Sequence, residues 1–173
     1  MPGFGRSALA PRIRSIDELV DHNARLFDEL GIGSFTLVGH SLGGWVASSF
    51  AAAHPARVRA LTVAAPYGLD VPSHPIANVR EMAPGELYTA LTNDPSVFEG
   101  LLPAGPDEAF EAARATEAQS VSGFVPGPFD ASLAPKLARL SMPTLIQWGD
   151  DDRIVPVGHL PAWRAALPAA ASR

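Results

Sequence analysis

FTLVGHSLGGWVASSFAAAH, residues 35–54, decides the fold: an apolar run, a turn of small residues and a helix-forming stretch that Pro55 ends. Phe35-Thr36-Leu37-Val38 is short and mostly apolar, as a strand buried in a parallel sheet is, and it stops at Gly39. Residues 42–54 then carry the spacing of a helix. Between them Gly39-His40-Ser41-Leu42-Gly43 fits G-x-S-x-G, in the strand-turn-helix context that this pattern needs for its chemistry. A serine there sits on a sharp turn with its hydroxyl raised above the sheet, and glycines two residues to either side keep neighbouring backbone away. Gly44 adds room for helix against strand. The start of the helix also directs unpaired N–H groups and its positive dipole end at the turn, so the Leu42 N–H is placed to hold an oxyanion. Ser41 is therefore the candidate nucleophile.

Moving outward, Val58 to Ala64 reads as a second buried strand and Thr144 to Trp148 as a third, followed by an acidic turn and a helix near 158–167. On the amino-terminal side, Ser15-Ile16-Asp17-Glu18 is a capping box. Ile16, Leu19, Val20, Leu26, Phe27 and Leu30 follow at helical spacing up to Gly31, a C′ residue, which predicts an amphipathic helix over 15–30. Apolar strands alternating with helices imply an α/β fold with a mostly parallel sheet flanked by helices. The stretch 67–139 differs in texture, being rich in Pro and Gly with helix candidates near 84–92 and 106–120. It reads as a helical cap or lid inserted into a core made of 1–66 and 140–173.

Composition narrows the function classes. The chain has 173 residues, 47% of them apolar and 18% charged, which suits one globular domain and excludes a disordered chain. The net charge is −5, and the thirteen basic residues, with Lys136 the one lysine, are scattered, which argues against a nucleic-acid surface. With no cysteine there is neither a disulfide framework nor a thiolate metal site, and His22, His40, His54, His74 and His159 show no strong metal spacing. The opening MPGFGRSALAPRIRS lacks the apolar region of a secretory signal, and no run is long enough to span a membrane, so a cytoplasmic location is expected. PGFGRS at 2–7 could be a glycine-rich phosphate loop, but no strand precedes it.

Three motifs in order carry a resemblance over nearly the whole chain: PGFGRS at 2–7, GHSLGG with AAAHPARVRALTV at 51–63, and MPTLIQWGDDDRIVP at 142–156. Together they resemble the α/β-hydrolase superfamily, in its cap-bearing, serine-nucleophile branch of esterases, cofactor-free haloperoxidase-like proteins and meta-cleavage-product hydrolases. Serine at the nucleophile position separates the chain from the epoxide hydrolases and haloalkane dehalogenases, which use aspartate there. In the family pattern G-x-x-D-x-x-x-P, Gly149, Asp152 and Pro156 match in register, which implies Asp152, rather than Asp150 or Asp151, as the carboxylate that orients the base. Asp70, just after the second strand, is the acid position of some branches. The resemblance implies no metal and no cofactor.

The same resemblance implies a histidine after one more strand beyond the acid, and the chain runs instead through Trp163–Pro168 into AAASR. His159 is the one histidine after Asp152, on the start of a helix rather than on a strand-loop position. The family's first strands, with the second oxyanion donor, would precede PGFGRS. The expectation is a partial α/β-hydrolase fold, truncated at both ends, with three strands and two unprotected sheet edges. The intact parent would hydrolyse a carboxylic ester or a related C–C bond through a Ser-Asp-His triad, and the chain as given would be inactive. The alternative is a non-catalytic ligand- or partner-binding protein of the same fold. Phe98, Phe110, Phe124, Phe129, Leu91, Leu101 and Leu102 in the cap stretch suggest a small-molecule substrate with an apolar acyl or aryl group. The oligomeric state is left open.

Overall fold

The structure, a computed structural model, describes residues 1–79, 81–82, 84–98, 107–125, 127 and 129–172. By its contacts the chain forms two compact units, one of residues 1–15 and 78–126, the other of residues 16–77 and 127–173.

The second unit holds the sheet. It opens with helix α1 (Ile16–Glu29), whose buried side is made by Ile16, Leu19, Val20 and Ala24. Leu26 and Leu30 share the apolar spacing but are 41% and 62% exposed. The inward stripe continues through Phe27 instead, whose ring lies 4.9 Å from Phe35 and 5.6 Å from Phe50, and the two leucines fall to its side. Gly31 has φ +68, with its N–H on Asp28 O at 3.0 Å and the Ile32 N–H on Phe27 O at 2.8 Å. This pairing is a Schellman motif, and it needs the left-handed residue that glycine supplies.

Strand β1 (Phe35–His40) leads through Ser41 into α2 (Leu42–Ala53), which is buried from Gly44 to Ala51. A short 3-10 turn at Pro55–Arg57 leads to β2 (Val58–Ala64). Two further helices of this unit, α5 (Leu133–Leu137) and α6 (Leu160–Ala166), flank β3 (Thr144–Gln147) in sequence. The chain closes with β4 (Ala171–Ser172), and the four strands pair in the order β1-β2-β3-β4, every pair parallel. The expectation of three strands is thus corrected. A two-residue strand without an apolar run leaves no periodicity to read, yet Leu145 pairs with Ala171 and Ile146 with Ser172. The α/β class with a parallel sheet and flanking helices stands.

Register shows how the sheet is used. Leu61 pairs with Thr144 and Val63 with Ile146, and all four are buried on one face. The opposite face carries the rows Val38, Thr62, Leu145, Ala171 and His40, Ala64, Gln147. Val38 is 69% exposed, and Thr62 and Leu145 are half-buried. Parallel strands normally bury both faces. Here the strands expected as buried throughout alternate instead, because one face only is fully packed.

In the first unit the described helices are α3 (Pro84–Leu91) and α4 (Glu108–Phe124). Asp107 caps α4 by accepting the Phe110 N–H at 2.9 Å, and the helix runs past its expected end at 120 to Phe124, which is buried. The Phe98 ring lies 5.3 Å from Tyr88, Leu91 is exposed, and Leu101 and Leu102 lie outside the described residues. Among the described residues no helix is long and apolar enough to cross a membrane.

Candidate active site

Ser41 joins the last residue of β1 to the first of α2, with φ +55 and ψ −122. A residue with a side chain rarely adopts this backbone, and it persists only where the surroundings fix it. They do so here. The Ser41 N–H donates to Ala64 O at 2.9 Å, and its carbonyl accepts from Gly44 N at 2.9 Å, Trp45 N at 3.3 Å and Tyr67 N at 3.0 Å. The sharp turn read from the sequence is present.

Two of the three glycines around it are there for space. A side-chain carbon on Gly39 would overlap the Gly43 carbonyl, and one on Gly44 would lie 2.6 Å from the Pro66 Cβ. Gly43 differs from expectation, because a carbon there meets nothing within 4 Å. Its first-turn position on α2 points away from β1. Leu42, the first residue of α2, presents its N–H among the amides that a helix start leaves unpaired.

Beside Ser41 the carboxyl ends of the strands form an open cavity of about 360 Å³, lined by His40, Ala64, Ala65, Gln147, Trp148, Gly149 and Asp152. Ligand sites of open α/β sheets form at these strand ends. Asp152 Oδ1 accepts from Ile154 N at 2.9 Å and Val155 N at 2.8 Å, so one carboxylate oxygen fixes the turn after β3. The Val155 carbonyl in turn accepts from Trp148 Nε1 at 2.8 Å. The turn that carries Asp152 is thereby tied to its own strand end. Asp150 and Asp151 are exposed, and Asp151 pairs with Arg153; Asp70 is exposed beyond β2.

The structure brings Asp152 and His40 into one cavity and sets Ser41 next to it, through the hydrogen bond to Ala64. It joins Ser41 Oγ to no histidine among the described residues. His159 is 2% exposed, its Nε2 donates to the His74 carbonyl at 2.6 Å, and its ring stacks on Trp148. The His74 ring lies over Gly158, and its Nδ1 is 3.0 Å from Ser73 Oγ. His54 packs its ring 4.8 Å from Phe50 at the end of α2, and His22 is half-buried on α1. No group of three or more His, Asp or Glu that could hold a metal occurs among the described residues.

Sequence reasoning missed Ala65. It lines the cavity with φ +40, and its N–H donates to Gln147 O at 3.0 Å, one step beyond the β2–β3 ladder. The one local signal is Pro66, and a following proline restricts a residue without predicting a positive φ.

An all-parallel sheet, a strained serine at a strand-to-helix turn and an aspartate on the turn after a later strand define a class, and the family model described as alpha/beta hydrolase fold matches residues 1–102. The chain belongs to that family. It is 30% identical over 91% of its length to the 2-hydroxy-6-oxo-6-phenylhexa-2,4-dienoate hydrolase of Comamonas testosteroni, covering 60% of that enzyme. It is 26% identical over 89% of its length to a bifunctional esterase/perhydrolase of Acinetobacter calcoaceticus, covering 63% of it. Among solved structures, the 2-hydroxy-6-oxo-6-phenylhexa-2,4-dienoate hydrolase of Rhodococcus sp. strain RHA1 superposes with a TM-score of 0.74 at 21% identity, over 99% of this chain and 68% of the other. The chain spans less than two thirds of the length of these curated relatives.

Proposed function

We propose that this chain carries the nucleophile and acid of a serine hydrolase that cleaves a carboxylic ester or a related carbonyl C–C bond. The observation that carries the reading is the backbone of Ser41, at φ +55 on four hydrogen bonds. Strain of this kind is retained where it aims a reacting group. In the proposed reaction Ser41 Oγ attacks the carbonyl carbon, a histidine takes its proton, Asp152 orients that histidine, and the Leu42 N–H holds the developing oxyanion. We take that histidine to be one outside the five of this sequence, a reading supported by His159, which stands at the start of α6 and donates its Nε2 hydrogen to the His74 carbonyl. The cavity beside Asp152 has room for an imidazole.

The substrate proposed is a small molecule with an apolar acyl or aryl group, admitted by a lid built from the helical stretch within 67–139. The two relatives fit this range, one named for a phenyl-bearing dienoate and the other for esterase and perhydrolase activities. A cytoplasmic setting belongs to the same proposal, and cell fractionation checks it.

Removing the base of a serine triad lowers kcat by about 10⁶. The chain alone is therefore expected to hydrolyse p-nitrophenyl butyrate no faster than its Ser41→Ala variant. Added imidazole should restore a rate component that Ser41→Ala and Asp152→Asn both lack. Ser41-dependent turnover without imidazole would show that a base is present in the chain; no Ser41-dependent component at any imidazole concentration would overturn the catalytic reading.

A further inference from the structure

We propose that Trp148 is a positioning residue: through its indole N–H it fixes the Val155 carbonyl, and so sets the direction in which the Asp152 carboxylate meets the base. This role rests on the reading of Asp152 as the acid of a serine hydrolase. A carboxylate orients an imidazole productively only when it is held to within about 0.5 Å, so the groups behind it matter as much as the carboxylate itself.

Asp152 Oδ1 is held by the N–H groups of Ile154 and Val155, and those two residues are held in turn from outside the turn. The peptide between Ile154 and Val155 is gripped on both sides: its N–H is on Asp152, and its carbonyl accepts from Ala77 N at 2.9 Å. The next peptide joins Val155 to Pro156 and has no N–H, so its carbonyl is its one hydrogen-bonding group. Trp148 Nε1 takes that carbonyl at 2.8 Å. Val155 is 1% exposed, so without the indole its carbonyl would be left in a site closed to water, at a cost that favours rearrangement of the turn.

The donor is itself fixed. Trp148 is the first residue after β3, so its bond closes the span 148–155 back onto the end of the strand. Its ring stacks on that of His159, centroids 6.4 Å apart at 25°, and His159 is buried with its Nε2 hydrogen on the His74 carbonyl. The indole therefore has little freedom to swing away. With Oδ1 occupied by two N–H groups, an imidazole N–H arriving from the cavity meets Oδ2, in a direction set by the turn.

Trp148 also lines the cavity, so the test removes the donor while keeping the shape. In the full 173-residue chain, the Trp148 indole is replaced by benzothiophene, which exchanges the N–H for sulfur within the same bicyclic outline, and Trp148→Phe serves as a second variant. Turnover of p-nitrophenyl butyrate with added imidazole should show kcat lowered about ten-fold by the benzothiophene, with KM for the ester unchanged. Amide exchange at Ile154 and Val155 should speed about ten-fold in both variants, while the Ser41 and Leu42 amide resonances stay in place. Unchanged kcat with a clear imidazole component in the parent chain overturns the positioning role alone. Loss of turnover accompanied by shifts at Ser41 and Leu42, or by a raised KM in the benzothiophene variant, overturns it as well, by making Trp148 a general packing residue. A parent chain without any Ser41-dependent imidazole component overturns the hydrolase reading, and the role with it.

Discussion

Ser41 illustrates the exchange between stability and chemistry in a single residue. Its φ of +55 belongs to glycine's range, so Ser41→Gly should stabilise the chain by about 1–3 kcal/mol while removing the hydroxyl, read as a rise in the urea midpoint. An unchanged or lower midpoint would mean that the turn is not strained. The glycines nearby should separate sharply. Gly39→Ala drives a methyl into the Gly43 carbonyl and should destabilise by about 1–3 kcal/mol, whereas Gly43→Ala, with open space and a helical position, should be neutral or stabilising. Equal melting temperatures for the two would sink this account. Much at this scale was legible: Gly39, Ser41 and Gly44 could be assigned because a turn this tight admits few residue types. Ala65 could not, since an alanine at φ +40 is imposed by the Gln147 carbonyl across the sheet and not by its neighbours in sequence. The place of His159 at a helix start was readable from the chain, but its partner, the carbonyl of His74, was not, being remote in sequence.

Among the elements, α1 depends on a residue outside it. Arg57, on the turn before β2, donates to Ile32 O at 2.6 Å, Gly33 O at 3.2 Å and Ala24 O at 3.4 Å, pairs with Asp28 at 2.8 Å, and lies over the Phe35 ring. Ile32 and Gly33 lie just beyond the end of α1, where the helix itself supplies no donors, and Ala24 lies within the helix. Arg57→Ala should cost about 1–3 kcal/mol and speed amide exchange in the last turn of α1, and Arg57→Lys should not restore protection, because one ammonium cannot span three carbonyls. Full recovery with lysine would reduce the role to its charge. The turn after β3 allows structure and chemistry to be separated. Asp152→Asn keeps an oxygen for the Ile154 and Val155 N–H groups, so its melting temperature should hold, while Asp152→Ala should lose about 1 kcal/mol. Equal stability of both variants would show that the Asx turn contributes nothing. Helix α1 was legible from its periodicity and capping box, and α2 from its place between the small-residue turn and Pro55. The five-residue α5 and the two-residue β4 were not, since each is shorter than the window over which a period can be recognised.

For the whole molecule the sheet is the decisive object, and its β1 edge is its exposed flank. Val38, 69% exposed on an edge strand, invites pairing with another chain, and Val38→Lys should lower light scattering at high concentration with the melting temperature little changed. Scattering that does not respond would show that Val38 takes no part in the association. The spatial order β1-β2-β3-β4 is also the order of synthesis, with one long interruption. Once β2 has left the ribosome, about 80 residues must be made before β3 emerges to pair with it. At roughly 5–20 residues per second that is about 4–16 s during which Leu61 and Val63 present an unpaired apolar edge beside an already assembled β1–α2 unit. The span between β2 and β3 therefore sets how long that apolar edge waits for its pairing strand during synthesis.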